Sequence, residues 1–143
     1  MLVALPQILE NGERIEAISL GAGNTGRTFD LQTDRRVAEF KFIDWKGGAE
    51  AIRQNSVFKD FLGLLWDTSG RMRQLYVNGL EEPTRFLMGN RAISSVLSRN
   101  VKLTAQFRSR YGDRYSRVGE FYADFGKHVE IIDLTTILPD VGA

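Results

Sequence analysis

The chain has no cysteine and one histidine, His128. The first absence excludes disulfides, zinc-thiolate sites and thiol nucleophiles. It is compatible with a reducing compartment, and a cytoplasmic location is the expectation. The second excludes a metal site built from several histidines and leaves His128 a structural or surface role. No apolar run reaches the roughly 18 residues of a membrane span, so no membrane partner is expected. The opening Met1-Leu2-Val3-Ala4-Leu5-Pro6 lacks the basic start and the length of a secretory signal. Neither charge sign dominates: 19 Lys and Arg stand against 18 Asp and Glu, so the net charge of +1 names no partner. Lysine is scarce beside arginine, which suits bidentate phosphate and base contacts. Compositional bias with ordinary surface ion pairs would give the same excess. Gly21-Ala22-Gly23-Asn24-Thr25-Gly26 leads into a strand and has no Gly-Lys-Ser/Thr ending. It reads as a long hairpin connection, not as a phosphate-binding loop. Ser94, Ser95 and Ser98 have no base partner evident in the sequence, which speaks against serine catalysis.

What remains is a chain of 143 residues, 43% hydrophobic and 26% charged, the balance of one globular domain with a substantial core. Its most informative stretch runs from Thr28 to Phe42. A two-residue turn at Asp34-Arg35 sets position 31 opposite 38 and Asp30 opposite Glu39. Side chains two apart share a face. Thr28, Asp30, Gln32, Val37, Glu39 and Lys41 then line one side, and Phe29, Leu31, Ala38, Phe40 and Phe42 the other. The second side is built for a core and the first for chemistry. Facing carboxylates about 5 Å apart destabilise a hairpin, and a divalent cation between them reverses the penalty.

Around this hairpin the pattern predicts a short helix over 6–11 closed by Gly12, and a strand over 14–20. The short lead predicts a first helix that is trimmed or unusually small. A long helix over 49–67 follows Gly47-Gly48, with Phe58, Phe61, Leu62, Leu65 and Trp66 at helical spacing, and Gly70 ends it. A strand covers 74–77. Glu81-Glu82-Pro83 opens a helical region whose stripe is Ile93, Val96 and Leu97. A last strand spans 129–133, before a Pro-Asp-Val-Gly tail. The fold class is α/β: a mixed central sheet flanked by helices, in one domain over 1–143 with its core at about 6–78 and a helical, basic part at about 83–143.

The spacing Asp30…Glu39-Phe40-Lys41 resembles the signature of the PD-(D/E)XK nuclease superfamily, with Phe29 where the name-giving pattern has proline. The order helix, three strands, helix, strand resembles that family's restriction-endonuclease-like core, α-β-β-β-α-β. The resemblance implies a Mg²⁺- or Mn²⁺-dependent endonuclease that cuts DNA, acting as a homodimer. Asp30 and Glu39 would be the metal ligands, with the backbone carbonyl of Phe40 as a further oxygen. Lys41 would be the catalytic cation. Gln54-x-x-x-Phe58 stands where some branches carry Gln-x-x-x-Tyr, which makes Gln54 a candidate catalytic residue, or else an edge residue of the helix stripe in water. Glu10, Glu13 or Glu16 could supply the acid that the family often places on its first helix, and Glu10 is chosen on location. The chemistry stands without the family too. Two carboxylates hold Mg²⁺ with several waters kept, and a lysine nearby stabilises developing charge.

Downstream, Arg99, Lys102, Arg108, Arg110, Arg114 and Arg117 cluster, opposed only by Asp113. Lys102, Arg108, Arg110, Arg114 and Arg117 are the candidate nucleic-acid contacts. Phe107, Tyr111 and Tyr115 between them are spaced by four and are read as a helix core stripe. The alternative to an enzyme is a non-catalytic nucleic-acid-binding or accessory module on the same fold.

Overall fold

Alternation of apolar and polar side chains over residues 31–41 builds the centre of a five-stranded mixed sheet. The computed structural model describes residues 4–19, 29–42, 45 and 50–137. Thr28, the 21–26 connection, the Gly47-Gly48 helix start and the C-terminal tail lie outside the described residues. A single-turn helix α1 (Leu5–Ile8) leads to β1 (Ile15–Ile18), β2 (Leu31–Thr33) and β3 (Arg36–Lys41). The 16-residue α2 (Glu50–Leu65) then crosses over to β4 (Met72–Val77). α3 (Glu81–Leu87), α4 (Ile93–Val96), α5 (Val101–Tyr111) and α6 (Val118–Phe125) follow in order. A 3-10 turn (Gly126–His128), β5 (Glu130–Asp133) and α7 (Leu134–Ile137) complete the order.

The strands lie in chain order, β1 to β5. The first three pair antiparallel, and the last two join in parallel, each after a helical crossover. Leu31 pairs with Ala38 and Gln32 with Val37, which is the register of the Asp34-Arg35 turn. Asp30, just before β2, lies beside Glu39, its N–H donating to Glu39 Oε1 at 3.1 Å. The mixed sheet and the order α-β-β-β-α-β thus match the expectation.

Both faces of the sheet are covered, as a sheet flanked by helices requires. Leu31, Ala38, Phe40 and Tyr76 pack with Leu5, Ile8 and Leu134 on one side. On the other, Val37, Leu75 and Val77 lie under α2, in one core with Phe58, Phe61, Phe107 and Phe121. Phe29 joins that second core and not the Phe40 side. The chain bends at Phe29-Asp30, before β2 begins, so strict alternation stops there.

The helical region expected after Pro83 is built from several short helices. Gly89 and Asn90 separate α3 from α4, and α6 docks at the break. The Gly119 N–H donates to the Gly89 carbonyl at 2.8 Å. A Cβ on Gly119 would stand 2.6 Å from that oxygen, so the close approach requires glycine. α6 has no counterpart in the sequence reading. α5 starts with a cap, the Leu103 N–H donating to Asn100 Oδ1 at 3.0 Å, and ends at Gly112, whose φ is +60°. The aromatics at 107, 111 and 115 are core, as expected. Phe107 is buried, Tyr111 packs against it, and Tyr115, just beyond α5, packs on Tyr111 and Phe121.

A buried ion pair ties the hairpin to the segment before β1. Arg36, 4% exposed, donates from Nε and Nη2 to the Glu13 carboxylate at 2.7 and 2.8 Å. The Glu13 side chain is sealed from water. Arg36 also donates to Gln74 Oε1 at 2.9 Å, and the Tyr76 hydroxyl donates to the same oxygen at 2.7 Å. Burial works against the Glu13 charge. Hydrogen bonds from Arg36, Thr33 and the backbone prevail and hold its carboxyl at about 2.

Candidate active site at the open end of the hairpin

Asp30 and Glu39 clasp each other at the open end of the hairpin. The Asp30 N–H donates to Glu39 Oε1 at 3.1 Å, and the Phe40 N–H donates to Asp30 Oδ2 at 3.0 Å. In a pleated strand the N–H and C=O of one residue point to the same side. The Phe40 carbonyl therefore faces the side on which Asp30 lies. Lys41, on the α2 face of β3, reaches across to the helix. Its ammonium donates to Ser56 Oγ at 2.6 Å and stands 2.8 Å from Asp60 Oδ2. The latter contact is an ion pair between two partly buried side chains.

Asp60 is the residue that reading the sequence missed. It lies among Val57, Phe58, Phe61, Leu62, Leu64 and Leu65, all buried. A carboxylate inside such a stripe needs a partner, and that was the available signal. Positions 57, 60 and 64 share a helix face, so the partner had to come from the sheet beneath.

Three carboxylates and one ammonium therefore share the space between β3 and α2. Burial pushes the Glu39 carboxyl up to about 8, and the charges of Asp60 and Asp30 push the same way. The Asp30 N–H and Lys41 only partly offset them. Burial also raises Asp60, with Lys41 opposing. Near neutral pH the Glu39 carboxyl is thus held mostly protonated. Replacing Asp60 with asparagine removes one of the repelling charges and leaves the shape. The expected result is a fall in the Glu39 midpoint, read from its carboxyl carbon by NMR titration. An unchanged midpoint would separate Asp60 from the cluster.

Among the described residues no group of three or more His, Cys, Asp or Glu side chains is placed to hold a metal ion. The donor set at the hairpin is smaller: two carboxylates and a carbonyl. That fits Mg²⁺, which binds through one or two carboxylates and keeps waters and substrate phosphates for the rest. It does not fit a closed all-protein cage.

The remaining predicted residues lie elsewhere. Glu10 pairs with Arg35 at the turn, the opposite end of the hairpin from Asp30. Glu13 is spent on Arg36, and Glu16 on Arg71 and Gln32. No acid of the 10–16 segment joins the site, because the hairpin's turn is paired with that segment. Gln54 donates to Glu50 Oε1 at 3.3 Å and accepts from Arg91 Nη1 at 2.9 Å. With Glu82, Arg85 and Arg91 it lines a separate depression of about 170 Å³, so it does not reach the hairpin acids.

The cations of α5 are also apart from the acids. α5 packs through Phe107 on Phe58, 6.4 Å between ring centroids. Phe58 and Asp60 are two positions apart, about 200° around the helix, so α2 stands between. Lys102, Arg108 and Arg114 are exposed. The Arg110 guanidinium sits 4.5 Å from the centre of the Trp66 ring, and Arg117 donates to the Asn90 carbonyl at 3.2 Å.

Comparison with protein-family models, with curated proteins and with solved structures finds no significant match to this chain. No helix among the described residues is long and apolar enough to cross a membrane.

Proposed function

We propose that the protein is a divalent-metal-dependent endonuclease that hydrolyses phosphodiester bonds in DNA. The observation that carries this reading is the pairing of Asp30 with Glu39 at the end of a sheet, with the Lys41 ammonium beside them. A fold optimised only for stability has no use for a carboxyl that burial, with two other carboxylates beside it, keeps protonated. Such perturbed groups gather at functional sites.

Asp30, Glu39 and the Phe40 carbonyl would hold Mg²⁺ or Mn²⁺. When bound, the metal polarises the phosphate and lowers the pKa of a bound water. The protein's own part is positioning. The Phe40 N–H orients the Asp30 carboxylate, and the Asp30 N–H orients that of Glu39. Asp60 and Ser56 hold the Lys41 ammonium, which would stabilise charge on the phosphate oxygens in the transition state. Exposed Lys102, Arg108, Arg110, Arg114 and Arg117 would attract DNA without regard to sequence. Cutting both strands with one site per chain takes two chains, so a homodimer is part of the proposal.

Nicking of supercoiled plasmid in Mg²⁺ tests it. The wild-type protein is expected to nick, and Asp30→Ala and Lys41→Ala to lose about a hundredfold or more. Equal activity in all three would overturn the assignment. The second reading is a nucleic-acid-binding module without turnover. The engagement of Lys41 by Asp60 favours it, since it turns the ammonium towards α2. Salt-dependent DNA binding without cleavage in any divalent metal would select it.

A further inference from the structure

A groove of about 710 Å³ opens on the far side of α2 from the hairpin acids, between α4, α5 and the 112–117 loop. Its floor is aliphatic: Ala92, Ile93, Leu97, Val101 and Ala105. Val101 is 84% exposed, although it begins a helix whose other face is core. Along α5, positions 101, 105 and 108 share one face, and Gly112 follows at the helix end. They carry Val, Ala, Arg and Gly, so two of the four leave room where a larger side chain would fill the groove. Arg108 and Arg117 stand at the rim, and Asp113 is the one acid in the lining.

We propose that this groove docks an acidic, amphipathic helical segment of a partner protein. Exposed apolar floors with polar rims are interaction sites. The charge of the rim names the partner's sign. Among the described residues neither Arg108 nor Arg117 forms a salt bridge, and the Arg117 guanidinium donates to the Asn90 carbonyl. Carboxylates on the polar flanks of a docked helix would meet both arginines, while its leucine-type face covers Val101 and Ile93. Single-stranded nucleic acid shares the charge preference but needs ring faces to stack on. The two aromatic residues in the lining, Phe107 and Tyr115, are engaged by the protein's own rings. Phe107 is buried, and Tyr115 is packed edge-on against Tyr111 and Phe121, with its hydroxyl donating to Asp124. The proposal does not depend on the nuclease reading.

The test is fluorescence anisotropy with three labelled probes. One is a synthetic helical peptide with leucines at i, i+3, i+4 and i+7 and glutamate at its other positions. The second replaces each glutamate with lysine, and the third is a mixed-sequence single-stranded oligonucleotide. The glutamate peptide is expected to bind about tenfold or more tightly than its lysine counterpart. Ala105→Trp, at an exposed helix position, is expected to fill the groove and weaken that binding by about tenfold or more. Arg108→Glu is expected to narrow the gap between the two peptides. Circular dichroism establishes that both variants fold. No binding of the glutamate peptide, equal binding of both peptides, or an oligonucleotide that displaces the peptide and itself weakens in Ala105→Trp would overturn the proposal.

Discussion

Replacing Glu39 with glutamine is expected to stabilise the fold at alkaline pH and to abolish divalent-metal binding. Glutamine keeps the shape and an oxygen that accepts the Asp30 N–H, and it removes the charge. The Glu39 carboxyl is raised from 4.5 to about 8 in the folded protein. A raised carboxyl contributes stability that is full below its unfolded value and is lost as pH climbs through the folded one. The wild-type protein therefore loses stability between about pH 4.5 and 8, and Glu39→Gln does not. The shift corresponds to a few kcal/mol at most. The melting temperatures should coincide near pH 4, while by about pH 9 the variant should melt on the order of 5 °C higher. A variant that melts lower than wild type at alkaline pH would mean that the charged Glu39 supports the fold, not the site. Stability gained together with metal binding lost is the signature of a residue retained for function.

The second large effect lies at the other end of the hairpin. Arg36→Ala or Glu13→Gln alone is expected to cost about 3–5 kcal/mol in urea or guanidinium unfolding, because each leaves a buried, unmatched partner. Replacing both, as Glu13→Leu with Arg36→Met, should recover most of that loss, since the pair's attraction mainly offsets its own desolvation. A double variant as unstable as the sum of the singles would show that the pair is worth more than an apolar contact. The pH dependence has the opposite sign from Glu39. The Glu13 carboxyl is held at about 2, so its contribution is present above about pH 4.5 and lost as pH falls towards 2. The two carboxyls thus pull the stability profile in opposite directions.

The hairpin was legible because period-2 alternation and a polar two-residue turn act locally, and its register put Asp30 across from Glu39. The long helix was legible from its apolar spacing, and with it the crossover to a parallel strand. The partners across the layers were not. Asp60 reads as one polar residue in an apolar stripe until β3 lies beneath it and Lys41 reaches up. Gln54 shares the Phe58 stripe, and only the docking of Arg91 shows what its amide meets. Glu10 lies near the hairpin in sequence order, but the chain enters at the turn, which gives it to Arg35. The basic segment was legible as a cluster and not as a location, since the side of α2 on which α5 packs is decided by Phe58, Phe107 and Phe121 together.

In the proposed site the Asp30 and Glu39 carboxylates would share a divalent cation. Anomalous diffraction from crystals soaked in Mn²⁺ at about pH 8.5 tests it most directly, at a pH where the Glu39 proton competes least. One strong peak is expected within roughly 2.0–2.3 Å of oxygens from both carboxylates, and it should disappear in Glu39→Gln crystals. A fully soaked crystal with no peak there, the two carboxylates still clasped through the Asp30 and Phe40 N–H groups, would contradict it.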